Sequence, residues 1–118
     1  MTLIHRTMLS VAAVTFAAGM ATPLAAAQDD AMVKKGQEVY AAQKCSMCHS
    51  IAGKGNKTNP LDGVGKKLSA DEIRLWIANP KEATAKAKST KKPPMPEKSS
   101  KLTPAEIDAL VAYMQSLK

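Results

Sequence analysis

Cys45-Ser46-Met47-Cys48-His49 is the stretch on which the interpretation of this 118-residue chain depends. Two cysteines separated by two residues and followed at once by a histidine form the pattern C-x-x-C-H, which is typical of covalent attachment of a c-type haem. Each thiol can form a thioether with one vinyl group of the porphyrin. The imidazole of His49 can then reach the iron from one face as the proximal ligand. The pattern therefore predicts one covalent haem c, attached through Cys45 and Cys48.

Other uses of two cysteines fit this chain less well. A thioredoxin-like redox pair needs a βαβ setting, which the sequence does not suggest. A zinc site needs four ligands, or three and a water, whereas the only further candidate of the Cys/His type is His5. A disulfide across two residues would close a small ring and stabilise the fold little. A redox dithiol is the main alternative left open.

Residues 1–27 are interpreted as a signal peptide that is cleaved on export. His5 and Arg6 give a polar, positive start, residues 9–18 form an apolar stretch, and small residues lead up to Ala27. An uncleaved anchor is the alternative, but the stretch is interrupted by polar residues and proline and is short for a membrane span. Since c-type haem is attached outside the cytoplasm, we expect a periplasmic protein with no transmembrane segment after cleavage.

Residues 28–118 would then form one small domain with sixteen basic and ten acidic residues, a net charge of +6. A chain of this length buries only a marginal core, and a covalent porphyrin would supply the missing apolar interior. The segment 81–101 holds seven lysines and two glutamates, most of the excess. This charge suggests acidic protein partners, although the lysines could equally serve only to solvate a loop. Nucleic acid is not expected, because no aromatic–basic interleaving is present.

Helical patterns account for most of the remaining sequence. Residues 31–42 carry apolar residues at helical spacing after two aspartates that can cap the first turn. Gly36 lies inside this helix, where close approach of another helix or a tolerated surface glycine would explain it. A second helix opens with Ser69 and Glu72 as a capping box, and Asn79-Pro80 is expected to stop it.

The last helix has the same type of start. Thr103 is the predicted N-cap, Pro104 the first helical residue and Glu106 the partner in a capping box. One apolar face follows, formed by Ile107, Leu110, Val111, Met114 and Leu117. Residues 52–65, rich in glycine and containing Asn59-Pro60, are predicted to form a loop and a turn. Three helices and no strand pattern predict an all-α domain.

Met95 is the candidate for the second axial ligand of the iron. It lies in Lys92-Pro93-Pro94-Met95-Pro96, where prolines on both sides stiffen an extended loop. Met47 lies between the two cysteines and cannot reach the opposite haem face, whereas Met32 and Met114 fall on apolar helix faces that packing explains. An open or water-bound iron is the alternative.

The chain resembles the class I c-type cytochromes, in particular the short bacterial monohaem type with histidine and methionine ligands. Gly36 and Tyr40 match the family's glycine and aromatic residue on the first helix, and Leu110 and Tyr113 match the leucine and aromatic residue on the last. The resemblance implies that these two helices cross closely, which would explain Gly36. It implies a small cytochrome c fold, with about three main helices and loops wrapped around one covalent haem.

The same resemblance suggests two residues of the haem environment. Pro60 is similar to the family's proline whose carbonyl accepts the second N–H of the proximal histidine, which would orient His49. Trp76 begins a stretch, residues 76–81, that resembles an aromatic-x-x-Asn-Pro-Lys sequence beside the haem. The chain departs from the mitochondrial members by a longer, lysine-rich interval before Met95 and a shorter central segment, so the resemblance does not assign the propionate ligands.

His49 and Met95 together would close the iron to substrates, and this decides the expected function. A six-coordinate iron passes single electrons, so we expect a monomeric periplasmic electron carrier between acidic redox proteins and not an enzyme. One alternative is a haem c subunit or docking partner of a larger periplasmic oxidoreductase. A haem enzyme or gas sensor with an open iron is the other.

Overall fold

The computed structural model describes Gly19 and residues 23–118, with side chains from Asp29 onward. Most of the predicted signal peptide of residues 1–27 lies outside these described residues, and its cleavage stays a prediction. Within the described part of the chain, none of the helices is long and apolar enough to cross a membrane.

Helices form nearly all of the regular structure. The elements in chain order are α1 (Pro23–Ala42), a 3₁₀ turn (Cys45–Met47), β1 (Ser50–Ile51), β2 (Lys54–Gly55), α2 (Val64–Lys67), α3 (Ala70–Ala78), α4 (Pro80–Lys86), a second 3₁₀ turn (Glu97–Lys101) and α5 (Pro104–Ser116). The two strands are an antiparallel pair of two residues each. The all-α prediction is confirmed.

The first helix begins eight residues earlier than the sequence suggested. α1 starts at Pro23 instead of residue 31, so Asp29 and Asp30 lie inside the helix and do not cap its start. Pro23 is tolerated in a first turn, where its missing N–H has no helical partner to lose. The alanines that follow are the strongest helix formers, and these two facts explain the extension.

The core lies where α1 crosses α5, and Gly36 makes this crossing possible. A Cβ atom on Gly36 would overlap the Ala109 carbonyl and lie 2.6 Å from Cβ of Tyr113. The rings of Tyr40 and Tyr113 pack edge to face at the same crossing, with centroids 5.8 Å apart and planes at 84°. The buried cluster consists of Val39, Ile73, Ile77, Leu110, Val111 and Met114. The predicted close approach at Gly36 is confirmed.

Both predicted capping boxes are present. Glu72 N donates to the Ser69 hydroxyl at 3.2 Å, and the Glu72 carboxylate accepts from Ser69 N at 2.7 Å. The Thr103 box has the same reciprocal bonds, and α5 starts with proline as predicted. These boxes fix the starts of α3 and α5.

Asn79-Pro80 ends α3, as expected, but it also begins another helix that the sequence analysis did not predict. The Asn79 side chain accepts from Glu82 N at 3.2 Å, and buried Pro80 is the first residue of α4. A proline that terminates one helix is well suited to start the next, because its φ is already helical. The predicted turn at residues 61–65 likewise leads into a single helical turn, α2.

Candidate haem-attachment site

The five-residue motif folds as one tight turn. Lys44 before it adopts a left-handed conformation, with φ of 53°. Cys48 N and His49 N both donate to the Cys45 carbonyl, at 3.1 and 3.0 Å. Cys45 is half-buried, Cys48 is exposed and both are free thiols. The turn therefore presents two thiols and one imidazole from five consecutive residues.

Asn56 holds the backbone of this turn. Its N–H lies 3.0 Å from both the Ser46 and the His49 carbonyl oxygens, and its side-chain amide donates to the Met47 carbonyl at 3.1 Å. The preceding Gly55 has φ of 103°, and a Cβ atom there would overlap the His49 carbonyl. Only glycine suits this close approach, so the glycine-rich loop is shaped to bind the motif's carbonyl groups.

Asn59 orients the histidine. Nδ1 of His49 lies 3.1 Å from the Asn59 carbonyl oxygen. Because a carbonyl oxygen only accepts, Nδ1 carries the proton and Nε2 keeps its lone pair. The Asn59 side-chain amide also donates to the Cys48 carbonyl at 3.3 Å. Asn59 thus contacts the attachment turn and its histidine together, and leaves Nε2 available for a metal.

The prediction that Pro60 supplies this carbonyl is wrong by one residue. Pro60 forms a parallel bridge with Ser50, in which Ser50 N donates to the Asn59 carbonyl and Leu61 N donates to the Ser50 carbonyl. Successive carbonyls of an extended strand point to opposite sides, so the Pro60 carbonyl faces away from Ser50. Pro60 itself is exposed, and its bridge to Ser50 lies next to the carbonyl that His49 contacts.

Burial affects the ionisable groups of the turn. It lowers the pKa of His49 because the charged imidazolium is disfavoured. The bond to Asn59 opposes this change, and the charge of Lys91 adds to it. Burial also raises the pKa of the Cys45 thiol, against a smaller lowering by Lys98. The neutral imidazole is the form that can bind a metal.

Met95 lies half-buried in an open cleft of about 460 Å³. The cleft is lined by Lys81, Thr84, Pro94, Met95, Pro96 and Glu97, so α4 forms one wall and the proline-rich loop forms the other. The described contacts do not join Met95 directly to His49. They connect the segment between α4 and α5, residues 87–103 and here called the methionine loop, to the histidine side through other residues.

Three hydrogen bonds anchor the loop on either side of Met95. Lys91 Nζ donates to Asn59 Oδ1 at 3.0 Å, on the histidine side. Lys98 Nζ donates to the Gln43 carbonyl at 2.6 Å, next to the attachment turn. The buried Ser99 hydroxyl donates to the Ile77 carbonyl of α3 at 2.8 Å. The loop is therefore tied to the motif and to the helix that carries Trp76.

The sequence model of the cytochrome c family matches residues 33–118. The chain belongs to the cytochrome c family. No curated protein and no solved structure matches it. The match covers the attachment turn, the methionine loop and all helices from the body of α1 onward, and it agrees with the all-α fold. As a cytochrome c, the chain carries covalently attached haem c with its iron, and the family is one of electron carriers.

The residues present fit this cofactor. Two free thiols lie in one turn, and the adjacent imidazole is held as the tautomer that leaves Nε2 for iron. Within the described residues, no group of three or more His, Cys, Asp and Glu side chains could hold a bare metal ion. The two thiols and the imidazole are the groups that a covalent haem uses.

Trp76 lies half-buried on α3, outside the buried cluster of the described residues. The side chain that follows it, Ile77, belongs to that cluster. The placement beside the haem predicted for Trp76 stays a prediction, because no described contact tests it.

Sequence reasoning missed Asn56, Asn59, Lys91 and Ser99. Asparagines in a glycine-rich loop are residues that bond neighbouring backbone groups, so the two asparagines could have been singled out. Lys91 and Ser99 make contacts 32 and 22 residues away along the chain, and no local pattern marks such pairs.

Proposed function

We propose that this cytochrome is an exported one-electron carrier whose iron is bound by His49 on one side and Met95 on the other. When bound, the haem iron supplies reversible one-electron transfer between Fe(II) and Fe(III). The observation that carries the proposal is the bond from His49 Nδ1 to the Asn59 carbonyl at 3.1 Å. It fixes the tautomer and the ring orientation that axial ligation through Nε2 requires.

The methionine side is supported by how the loop is anchored. Lys91, Lys98 and Ser99 hold the segment around Met95 from both ends, and the flanking prolines limit its backbone freedom. A thioether held this way needs little rearrangement when the iron changes oxidation state. Histidine and methionine together leave no coordination position for a substrate, which favours a carrier over an enzyme.

Carbon monoxide binding tests this ligation. The reduced, haem-loaded wild type should not bind carbon monoxide at neutral pH, whereas Met95→Ala should bind it. Met32→Ala is the matched control, because Met32 is 37 % exposed on α1 and its loss should leave the iron closed. Carbon monoxide binding by the wild type would overturn the assignment of Met95 and favour an open haem site.

Export is the second part of the proposal. Cleavage after Ala27 would remove the first residues of α1 but none that contact α5 at Gly36, so the domain would keep its helix crossing. Mass spectrometry of the protein from a periplasmic fraction should find an N-terminus at or within two residues of Gln28. Recovery of the intact chain from the membrane fraction would support the uncleaved anchor instead.

Acidic redox partners are the third part. Among the seven lysines of segment 81–101, Lys86 pairs with Glu82 at 3.1 Å, and Lys91 and Lys98 bond within the chain. Four others are exposed: Lys81, Lys88, Lys92 and Lys101. Charges of this kind steer association and are screened by salt.

Kinetics with a redox partner test the steering. The rate of electron transfer should fall as ionic strength rises. The double variant Lys81→Gln/Lys92→Gln should show a weaker dependence on ionic strength. Lys66→Gln with Lys67→Gln on α2 removes the same charge outside the segment and should have less effect. A rate independent of salt would contradict steering. Elution of the native protein at a size well above one domain would favour a subunit of a larger oxidoreductase over a free carrier.

A further inference from the structure

We propose that Lys91 is a positioning residue for the histidine side of the haem: held by Asn59, its ammonium group keeps a positive charge beside His49 and raises the reduction potential. This inference rests on the proposed ligation of iron by His49. It concerns one contact between side chains of this protein, in which Lys91 of the methionine loop bonds to Asn59 of the loop that orients the histidine.

The contact is specific. Lys91 Nζ donates to Asn59 Oδ1 at 3.0 Å, across 32 residues of sequence. Two other polar groups of Asn59 are engaged with the attachment turn, since its side-chain amide donates to the Cys48 carbonyl and its main-chain carbonyl accepts from His49. Lys91 is therefore one hydrogen-bonded residue away from the proximal imidazole and from an attachment cysteine.

The local backbone keeps Lys91 in this place. Its N–H lies 3.4 Å from the Ser89 hydroxyl, and the proline-rich segment begins two residues later. A long lysine side chain on a free loop would spread its charge over many positions. The bond to Asn59 selects one of them, and chains of hydrogen bonds polarise one another.

A positive charge at this place favours the reduced site. Reduction removes one positive charge from the iron, so a nearby cation is repelled less by Fe(II) than by Fe(III). Loss of the charge should therefore lower the reduction potential.

Lys92 provides the matched control. It is exposed, it carries the same charge one residue further on, and the described hydrogen bonds and ion pairs do not include its side chain. Lys91→Gln and Lys92→Gln change the net charge equally, so a difference between them reports the contact with Asn59 and not the overall charge.

Redox titration of the full-length haem-loaded protein tests the proposal at fixed ionic strength. Lys91→Gln should lower the ratio of reduced to oxidised protein at a given potential by about threefold, equivalent to a potential lower by about 28 mV for one electron. Lys91→Arg, which keeps the charge and a donor, should restore most of the potential. Lys92→Gln should cause less than half of this shift.

A double-mutant cycle then tests the route through Asn59. With Asn59→Ser present, Lys91→Gln should change the potential less than it does in the wild type, because the charge is no longer held beside the histidine. Equal shifts for Lys91→Gln and Lys92→Gln, or no shift for Lys91→Gln, would overturn the inference. Carbon monoxide binding by the wild type would instead overturn the methionine ligand of the proposed function, so a failure of that function and a failure of this inference are distinguishable.

Discussion

The main-chain carbonyl oxygen of Asn59 accepts the hydrogen bond from Nδ1 of His49 at 3.1 Å. Since the acceptor is a backbone atom, substitution of the Asn59 side chain does not remove it. The orientation of the histidine depends instead on the path of the chain between Gly55 and Pro60. Asn56 determines much of that path, because it bonds three carbonyl groups of the attachment turn.

Asn56→Ala should destabilise the haem-loaded protein by about 1 kcal/mol. The substitution removes the side-chain bond to the Met47 carbonyl and the bond that Oδ1 accepts from Thr58 N, but it keeps the backbone N–H. Asn56 is exposed, so water can replace part of the loss. Urea unfolding followed by circular dichroism measures the change. Lys57→Ala, the exposed neighbour, should change stability by less than about 0.5 kcal/mol. Equal effects of the two substitutions would show that the amide does not hold the turn.

Gly36→Ala should destabilise the protein although alanine is the better helix former. Helix propensity alone would stabilise the variant by up to about 1 kcal/mol. Overlap of the new methyl group with the Ala109 carbonyl and the Tyr113 side chain should cost about 1–3 kcal/mol more than that gain. Thermal unfolding gives the sign, with Gln37→Ala as an exposed control in α1. A higher melting temperature for Gly36→Ala would mean that α1 and α5 are not tightly apposed.

The sequence predicted a helix correctly where the residues that mark its start lie close together in the chain. The starts of α3 and α5 carry reciprocal capping residues within four positions of one another, and both were predicted correctly. α4 was missed because its N-cap, Asn79, coincides with the end of α3 and because its C-terminal end has lysine where glycine is usual. α1 was predicted too short because the aspartates resembled caps, whereas the alanines before them continue the helix.

Lys88→Gly should stabilise the protein by about 0.5–1 kcal/mol. A non-glycine residue in the left-handed region costs about 1–2 kcal/mol. The greater conformational entropy of glycine in the unfolded chain offsets part of that gain. Lys88 has φ of 49°, and Ser89 N bonds back to the Thr84 carbonyl at 3.0 Å, which closes the end of α4 as a Schellman motif.

The neighbouring residue is the control for this change. Ala87 has a right-handed φ of −77°, so Ala87→Gly should destabilise the protein by up to about 1 kcal/mol. Urea unfolding of the two variants should therefore give opposite signs. The same sign for both would contradict the left-handed conformation at Lys88.

Ser99→Ala should destabilise the protein by about 1–3 kcal/mol, because the buried Ile77 carbonyl loses its donor. Ser99 is 5 % exposed, and its hydroxyl is the bond between the end of the methionine loop and α3. Carbon monoxide binding by the reduced variant should rise above the wild-type level as the loop loosens. Ser100→Ala is the control, since among the described residues the exposed Ser100 hydroxyl bonds only to the local Glu97 carbonyl. Unchanged stability of Ser99→Ala would show that the loop is held by other contacts.

The candidate site was predicted from sequence only as far as its local motif. C-x-x-C-H and the proline-flanked Met95 are each a short local pattern of neighbouring residues. The cofactor could therefore be inferred from them. The acceptor for His49 could not be located to one residue, because alternation of carbonyls along an extended segment decides between Asn59 and Pro60. The contact of Lys91 with Asn59 depends on how two distant loops meet, and that follows from packing.

Tyr40 should make the stability of the protein depend on pH in the alkaline range. Its hydroxyl is buried, with no hydrogen-bond partner among the described residues. Burial raises the pKa of Tyr40 to about 12, with smaller contributions from Cys45 and Tyr113. Once Cys45 is a thioether its negative charge is absent, and burial remains as the main cause.

The sign of the pH dependence follows from the direction of this shift. The folded protein favours the neutral phenol, whereas the unfolded chain ionises with a pKa near 10, about the usual value for tyrosine. The contribution to stability is therefore complete below about pH 10 and is lost as the pH rises toward 12. Between pH 9 and pH 11, roughly the range in which tyrosine ionises in the unfolded chain, the free energy of unfolding should fall less for Tyr40→Phe than for the wild type.

Urea unfolding of both proteins across this range isolates the contribution of Tyr40, because every other residue is the same in the two. At neutral pH, Tyr40→Phe should be as stable as the wild type or slightly more so. The substitution removes a buried hydroxyl that has no partner among the described residues and keeps the edge-to-face contact with Tyr113. A loss of more than about 1 kcal/mol at neutral pH would instead show that the hydroxyl has a partner in the haem-loaded protein. Parallel pH curves would show that Tyr40 ionises normally in the folded state.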